Sequence, residues 1–152
     1  MSARGYLAVV LHAHLPFVRH PEHARPLEER WLFEALAECY LPLLGAFERL
    51  HRAGVAFPLT MSLTPPLAFM LRDRLLSARF DDHLGRLQRL ADKETLRLRD
   101  DERFGPVARF YVEQLLEVRN TWKRIGGDVV EDERPVAEHG SIAVKDSLQK
   151  AV

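Results

Sequence analysis

The sequence predicts an α/β fold with two parallel strands and several long helices. Apolar runs at residues 6–11 and 59–63 are typical of buried strands, and the residues between them follow a helical pattern. A strand, a helical crossover and a second strand form a βαβ unit, whose strands are parallel and whose connection is right-handed. Residues 67–124 are almost entirely helical in pattern, and no third strand is predicted after them.

The first predicted strand ends in His12-Ala13-His14. An unbroken apolar run is typical of a strand that is buried on both faces of a parallel sheet. Because side chains two positions apart on a strand share a face, His12 and His14 are predicted to project to the same side. Pro16 has no amide hydrogen and cannot continue a central strand, so the chain turns into a loop there. The histidines therefore fall at the carboxyl end of a strand, where α/β folds bind their ligands.

The crossover is predicted to be helical from Leu27, with a break or restart at Pro42 and a second piece from Leu43 to Arg52. Its polar side is predicted to carry four glutamates, Glu28, Glu29, Glu34 and Glu38. The first two suit a helix amino terminus, where the helix dipole stabilises negative charge. Gly54 is a typical stop, because glycine readily adopts the left-handed conformation that ends many helices.

The second strand ends at Thr64-Pro65-Pro66, so both strand ends are predicted to open onto the same edge of the sheet. Three apolar stripes on the helices that follow are predicted to be packing faces: Leu67, Met70, Leu71, Leu75 and Leu76; Leu84, Leu87, Leu90 and Ala91; and Val107, Phe110, Tyr111, Gln114, Leu115, Val118 and Trp122. Two strands cannot close a barrel. Exposed sheet edges and a partial core predict marginal stability or self-association.

Composition limits the function classes. The 152 residues include 22 basic and 22 acidic side chains, so the chain has no excess charge for binding nucleic acid or an anionic membrane. No apolar run approaches the roughly 20 residues of a membrane span, and no signal-peptide pattern is present, so a cytoplasmic location is expected. The single Cys39 excludes an internal disulfide framework and a cysteine zinc cluster.

Four interpretations of the histidine pair stay open on this evidence. Two imidazoles on one face can share a metal ion, but no carboxylate or third histidine lies at an obvious partner spacing. Acid–base or nucleophile-activating roles need a partner residue that the sequence does not identify. The pair can also contact a sugar or another polar substrate, or be satisfied by backbone groups alone.

Trp31 has two interpretations, a core residue of the first helix or an aromatic platform beside the histidines. Sugars present apolar C–H faces that stack on indole, so the platform would suit a carbohydrate. Glycoside hydrolysis normally needs two carboxylates that flank the scissile bond. No carboxylate in this sequence follows an apolar strand, so spacing supplies no candidate pair.

Four segments carry a resemblance to a known family: residues 5–19, 27–35, 40–44 and 59–67, which read GYLAVVLHAHLPFVR, LEERWLFEA, YLPLL and LTMSLTPPL. In order and spacing they are similar to the amino terminus of glycoside hydrolase family 57, in particular its 1,4-α-glucan branching enzyme type. The resemblance implies that residues 1–130 are the amino-terminal portion of a (β/α)7 barrel of the glycoside hydrolase/deacetylase-like kind, here incomplete.

The resemblance also implies a reaction. Family members act on α-glucans by a retaining double displacement and need no metal, so an α-glucan is the expected partner and no cofactor is expected. In the branching type, an α-1,4 bond is cleaved, a glucosyl-enzyme ester forms, and the glucan chain is transferred to a 6-hydroxyl as in glycogen biosynthesis.

Residue by residue, His14-Leu15-Pro16 matches the family's first signature, whose histidine lies in the sugar-binding cleft. His12 matches an extra histidine of the branching type, and Trp31 matches an aromatic position associated with glucan binding. The resemblance thus implies three substrate-binding residues and no metal ligand. It implies no catalytic residue, because the family's glutamate nucleophile and aspartate acid/base lie on later strands without a counterpart in this sequence.

Residues 131–152 do not resemble the family's continuation and are expected to form a divergent tail. We expect a truncated or frameshifted gene product that is inactive alone; the absence of a barrel continuation in every downstream reading frame would contradict this hypothesis.

Three alternatives stay open. The first is another α-glucan activity of the family, 4-α-glucanotransferase or α-amylase. The second is a non-catalytic carbohydrate-binding or interaction remnant. The third is a metal-dependent hydrolase or deacetylase built on the histidine pair.

Overall fold

The structure is a computed structural model that describes residue 5 and residues 7–127. Along these residues two strands and five α-helices follow in the order β1 (Val9–Ala13), α1 (Glu29–Ala35), α2 (Leu41–Arg52), β2 (Leu59–Leu63), α3 (Pro65–Arg72), α4 (Arg74–Arg97) and α5 (Gly105–Arg124). A π-helical turn, Leu36–Tyr40, joins α1 to α2. The predicted tail at residues 131–152 lies outside the described residues.

The two strands pair in parallel, as predicted, and His12 is aligned with Ser62 in the register. The first strand begins and ends later than its apolar run, since it includes His12 and Ala13. The prediction that β1 is buried on both faces is wrong in the described part, where Val10 is 68% exposed. The reason is that the helices cover little of this two-stranded sheet, which joins the core only near its carboxyl end, through Ala13 and the partly buried Leu63.

The crossover is one nearly continuous helical rod, and Pro42 does not break it. Pro42 lies in the first turn of α2, and because proline has no amide hydrogen it leaves one bond of the rod unmade without ending the rod. Immediately before it, the amide of Leu41 donates to the carbonyl of Leu36, five residues back, which is the bonding pattern of a π-turn. This wider turn accommodates a proline whose ring would clash with the preceding turn of a regular α-helix. The predicted stop is confirmed, since Gly54 has φ 69°.

The core lies among the helices and the β1–α1 loop, which comprises residues 14–28. Phe80 of α4 is fully buried and packs edge-on against Trp122 of α5, with 4.8 Å between ring centroids. Val18 brings the loop into the same cluster. The first predicted stripe is largely confirmed, because four of its members are buried: Leu67, Met70, Leu71 and Leu76.

The other two stripes are packing faces only in part. Leu84 on α4, and Val118 and Trp122 on α5, are buried as predicted. The far ends of the same helices instead expose large apolar side chains, Leu90, Leu96, Phe104, Val107, Phe110 and Tyr111, which we call the outer hairpin cluster. The period of the pattern identifies the apolar face of a helix correctly, but within residues 7–127 nothing buries this part of it.

None of the helices described here has both the length and the apolar character needed to cross a membrane.

Candidate functional site

The histidine pair lies at the carboxyl end of β1. Both side chains are exposed, and their ring centroids are 5.1 Å apart with an angle of 30° between the ring planes. The prediction that they project to the same side is therefore confirmed. Two neighbouring imidazoles at an exposed strand end can offer donors and acceptors to adjacent hydroxyl groups of one ligand.

Ser62 belongs to this site, although it was not predicted from the sequence. Its hydroxyl and Nδ1 of His12 share a hydrogen bond across the parallel pair, because the register places the two residues side by side. The bond restrains the imidazole ring and leaves Nε2 of His12 available to a ligand. The strand register would have revealed this partner. If the two strands are aligned so that His14 is opposite Thr64, His12 is opposite Ser62.

Thr64 ties the two strand ends together. Its backbone amide donates to the carbonyl of Ala13 at 3.2 Å, so the predicted common edge of the sheet is confirmed. Its hydroxyl oxygen is buried and, among the residues that the structure describes, has no hydrogen-bond partner.

Two phenylalanines form an exposed aromatic pair close to the same edge. Phe17 follows β1 and Phe69 follows β2; their ring centroids are 5.8 Å apart, and they are 56% and 55% exposed. Exposed rings that lie side by side offer an apolar surface for the C–H face of a sugar. Neither residue was predicted from the sequence, and the signal was an apolar side chain close behind each strand-ending proline, Pro16 and Pro66.

Trp31 lies on α1 and is 52% exposed, so the interpretation as a core residue is wrong. An exposed indole suits a binding platform. The structure brings His12 and His14 together, but in the described part of the chain Trp31 makes no ring contact with either of them. Its role in ligand binding stays a prediction.

The loop that follows the histidine pair is anchored through its backbone to a buried ion pair. Glu29 is 1% exposed and lies 2.5 Å from a guanidinium nitrogen of Arg79. Arg79 also donates to the carbonyls of His20 and His23, at 3.2 and 2.7 Å, and the amide of His20 donates to Glu29. The prediction that Glu29 belongs to the polar side of the helix is wrong, because α4 covers that position and supplies the opposite charge.

A second ion pair anchors the same loop nearer to the histidines. Nε of Arg19 donates to one carboxylate oxygen of Asp73 at 2.6 Å. The other oxygen accepts from the amide of Leu76 at 3.0 Å and so caps the amino terminus of α4. Asp73 thus serves two elements at once, because it starts a long helix and holds the loop against it.

No group of three or more His, Cys, Asp or Glu side chains within the described ranges is arranged to hold a metal ion. The two histidines therefore have no third protein ligand there. The absence of a cofactor, which the resemblance implied, stays a prediction.

Comparison with known proteins identifies the family. The sequence model of glycosyl hydrolase family 57 matches residues 8–144. The chain belongs to glycosyl hydrolase family 57. The match extends beyond residue 131, the predicted start of the divergent tail; that boundary lies beyond the described residues and stays a prediction.

Relatives of known sequence in glycosyl hydrolase family 57 include branching enzymes. The chain is 34% identical over 142 residues to the 1,4-α-glucan branching enzyme of Thermococcus kodakarensis, an alignment that covers 93% of this chain and 20% of the relative. A probable 1,4-α-glucan branching enzyme of Mycobacterium tuberculosis is 37% identical over 70 residues, which cover 45% of this chain and 13% of the relative. The chain thus spans about a fifth of the first relative's length.

Solved structures agree with this assignment. The α-amylase AmyC of Thermotoga maritima superimposes with a TM-score of 0.78 at 41% identity, covering 84% of this chain and 24% of that one. The family 57 branching enzyme of Pyrococcus horikoshii superimposes with a TM-score of 0.75 at 37% identity, covering 82% and 23%. The resemblance and the mixed α/β architecture are confirmed, whereas the incomplete (β/α)7 barrel stays a prediction.

Proposed function

We propose that this chain supplies the first βα portion of a 1,4-α-glucan branching enzyme and binds an α-glucan at the carboxyl edge of its two strands. The observation that carries the proposal is the exposed histidine pair at that edge, in a chain similar to branching enzymes over most of its length. The reaction to which this portion would contribute cleaves an α-1,4 bond and transfers the glucan chain to a 6-hydroxyl.

In this proposal, the histidines hold the polar side of a glucosyl unit. His12, restrained by Ser62, directs Nε2 outward, and His14 lies beside it on the same face. Imidazole nitrogens donate and accept hydrogen bonds, so two rings can bind two hydroxyls of one sugar. The apolar side of the glucan is left to exposed aromatic rings, with Phe17 and Phe69 next to the strand ends and Trp31 on α1.

The histidine roles are tested by titrating the purified chain with maltoheptaose in a calorimeter. We expect His14→Ala to weaken binding about tenfold, since it removes a hydrogen bond of the usual strength. His51→Ala is the matched control, because His51 is exposed on α2 and lies away from the strand ends. Equal affinity for both variants would contradict the proposed site.

The same proposal gives the chain no catalytic residue, so it binds glucan without turning it over. No residue here matches the glutamate nucleophile or the aspartate acid/base that the family resemblance implies. Incubation of the purified chain with amylose is expected to yield neither new α-1,6 linkages nor new reducing ends. Either product, well above the level of an inactivated sample, would contradict inactivity.

The second candidate is the same role in an α-amylase, supported by the similarity to the Thermotoga maritima enzyme. Two chimeras separate the candidates, in which residues 8–127 replace the matching segment of the Thermococcus kodakarensis branching enzyme or of AmyC. We expect the first chimera to form α-1,6 linkages and the second to lose activity. The reverse result would favour the amylase.

We also propose a cytoplasmic location for this chain. Cell fractionation with an antibody against the chain checks it, and recovery from the culture medium would contradict it.

A further inference from the structure

A cavity lies between the β1–α1 loop, α1 and α4, on residues that the proposed glucan site does not use. Its volume is about 340 Å³, and its charged lining consists of four arginines and two carboxylates, Arg25, Arg30, Arg79, Arg86, Glu29 and Asp82. We propose that this cavity binds a small anion through a phosphoryl group. The inference does not depend on the glucan role.

The charge of the lining is unbalanced in favour of an anion. Arg79 and Glu29 neutralise each other through their ion pair. Arg25 and Arg86 form no ion pair with any residue in the described ranges, and Arg30 reaches only the exposed Glu34, at 3.6 Å. Such an exposed pair one helical turn apart is weak. Three of the arginines that line the cavity are therefore without a buried partner, and Asp82 is the only lining carboxylate that is not in an ion pair within the described residues.

His83 also lines the cavity, and its pKa responds to the positive charge there. Burial lowers the pKa of its imidazole, and the nearby Arg86 and Arg30 lower it further, while Glu34 acts in the opposite direction. The ring packs against Phe33, with 5.3 Å between ring centroids. Positive charge from both α1 and α4 thus converges at one side chain.

The chemistry of the lining favours a phosphoryl group over a simple halide. A guanidinium group can donate two parallel hydrogen bonds to the oxygens of a phosphate. Several arginines that line one cavity can therefore bind the same phosphoryl group. The cavity is at the lower end of the size range of small-molecule sites. Phe33 and Leu87, which also line it, can contact an apolar part of the ligand.

The test is an NMR titration of the His83 ring with inorganic phosphate at constant ionic strength, with sodium chloride as the reference. We expect a saturable change of the ring signal and a rise of the His83 pKa on binding, because a bound anion opposes the charge of Arg86 and Arg30. A ring signal that follows the chloride reference would overturn the proposal. A parallel titration with glycerol phosphate distinguishes sources: tighter binding assigns the site to a phosphate monoester, and equal binding assigns it to the phosphoryl group alone.

Substitutions locate the site. We expect Arg86→Gln to weaken phosphate binding about tenfold. Arg89→Gln should leave it unchanged, since Arg89 is exposed on the same helix and does not line the cavity. Arg25→Gln, on the loop, provides a second variant if Arg86→Gln does not fold, as judged by circular dichroism. Equal phosphate affinity in the lining variant and in Arg89→Gln would overturn the assignment.

Discussion

The β1–α1 loop and the outer hairpin cluster are opposites. The loop has little regular structure, yet it is fixed by two ion pairs and by the buried Val18. The outer hairpin cluster belongs to two long helices, yet its large apolar side chains are exposed. Regular secondary structure and firm anchoring are therefore separate properties in this chain, since anchoring depends on which side chains find partners across elements.

The difference in anchoring between the two regions agrees with their positions in the molecule. The loop begins at His14, so each contact that fixes it also limits where the histidine pair can lie. An exposed apolar cluster is typical of a surface that packs against another partner. The following variants test how firmly each region is held, in order of decreasing expected effect on stability.

Glu29→Gln should have the largest effect, because it leaves the Arg79 charge without its partner. Removal of one member of a buried ion pair typically costs about 3 kcal/mol. Urea unfolding monitored by tryptophan fluorescence measures this loss of stability. Glu34→Gln is the matched control, since Glu34 is exposed on the same helix. A loss no greater than that of the control would mean that the ion pair does not anchor the loop.

Asp73→Ala should have an intermediate effect. It removes the cap of α4 and the partner of Arg19 together, and the loss of a cap alone costs about 1 kcal/mol. Chemical denaturation against Asp81→Ala, an exposed site on the same helix, measures it. The double variant with Arg19→Ala should lose less than the sum of the single losses, because the two residues interact. Strict additivity would argue against the second anchor.

The free energy of unfolding should also depend on pH through His83, which lies on α4 and lines the cavity beside the β1–α1 loop. Its pKa in the folded chain lies below the ordinary value of 6.5, so the unfolded chain binds more protons as the pH falls through that value. We therefore expect the free energy of unfolding to decrease from about pH 7 towards the lower folded pKa, and His83→Gln to reduce this slope. An identical pH dependence in the variant would contradict the lowered pKa.

Phe110→Ser should have the smallest effect on stability, within about 0.5 kcal/mol, because the ring is already exposed. Val118→Ala, on the buried part of the same helix, should cost more. A strong loss of stability would show that the outer hairpin cluster is packed after all.

The sequence predicted the elements better than their surroundings. The parallel strands, the common edge and the stop at Gly54 followed from local patterns. The burial of Glu29 did not, because its partner Arg79 is distant in sequence and only the packing of α4 on α1 brings it close. Ser62 required the strand register, and Phe17 with Phe69 required the path of the loop. The exposure of Phe110 shows that an apolar stripe indicates a face but not whether anything covers it.

The π-turn between α1 and α2 acts as a phase adjustment within one rod. It holds one more residue than a regular turn, so every side chain after Tyr40 is rotated by about 100° relative to an uninterrupted α-helix. The buried positions of α1, Leu32 and Phe33, and the first buried position of α2, Leu41, therefore reach the same core. The π-turn thus keeps the apolar side of the rod against the core along its whole length. Deleting a single residue within this turn would rotate the apolar side of α2 away from the core.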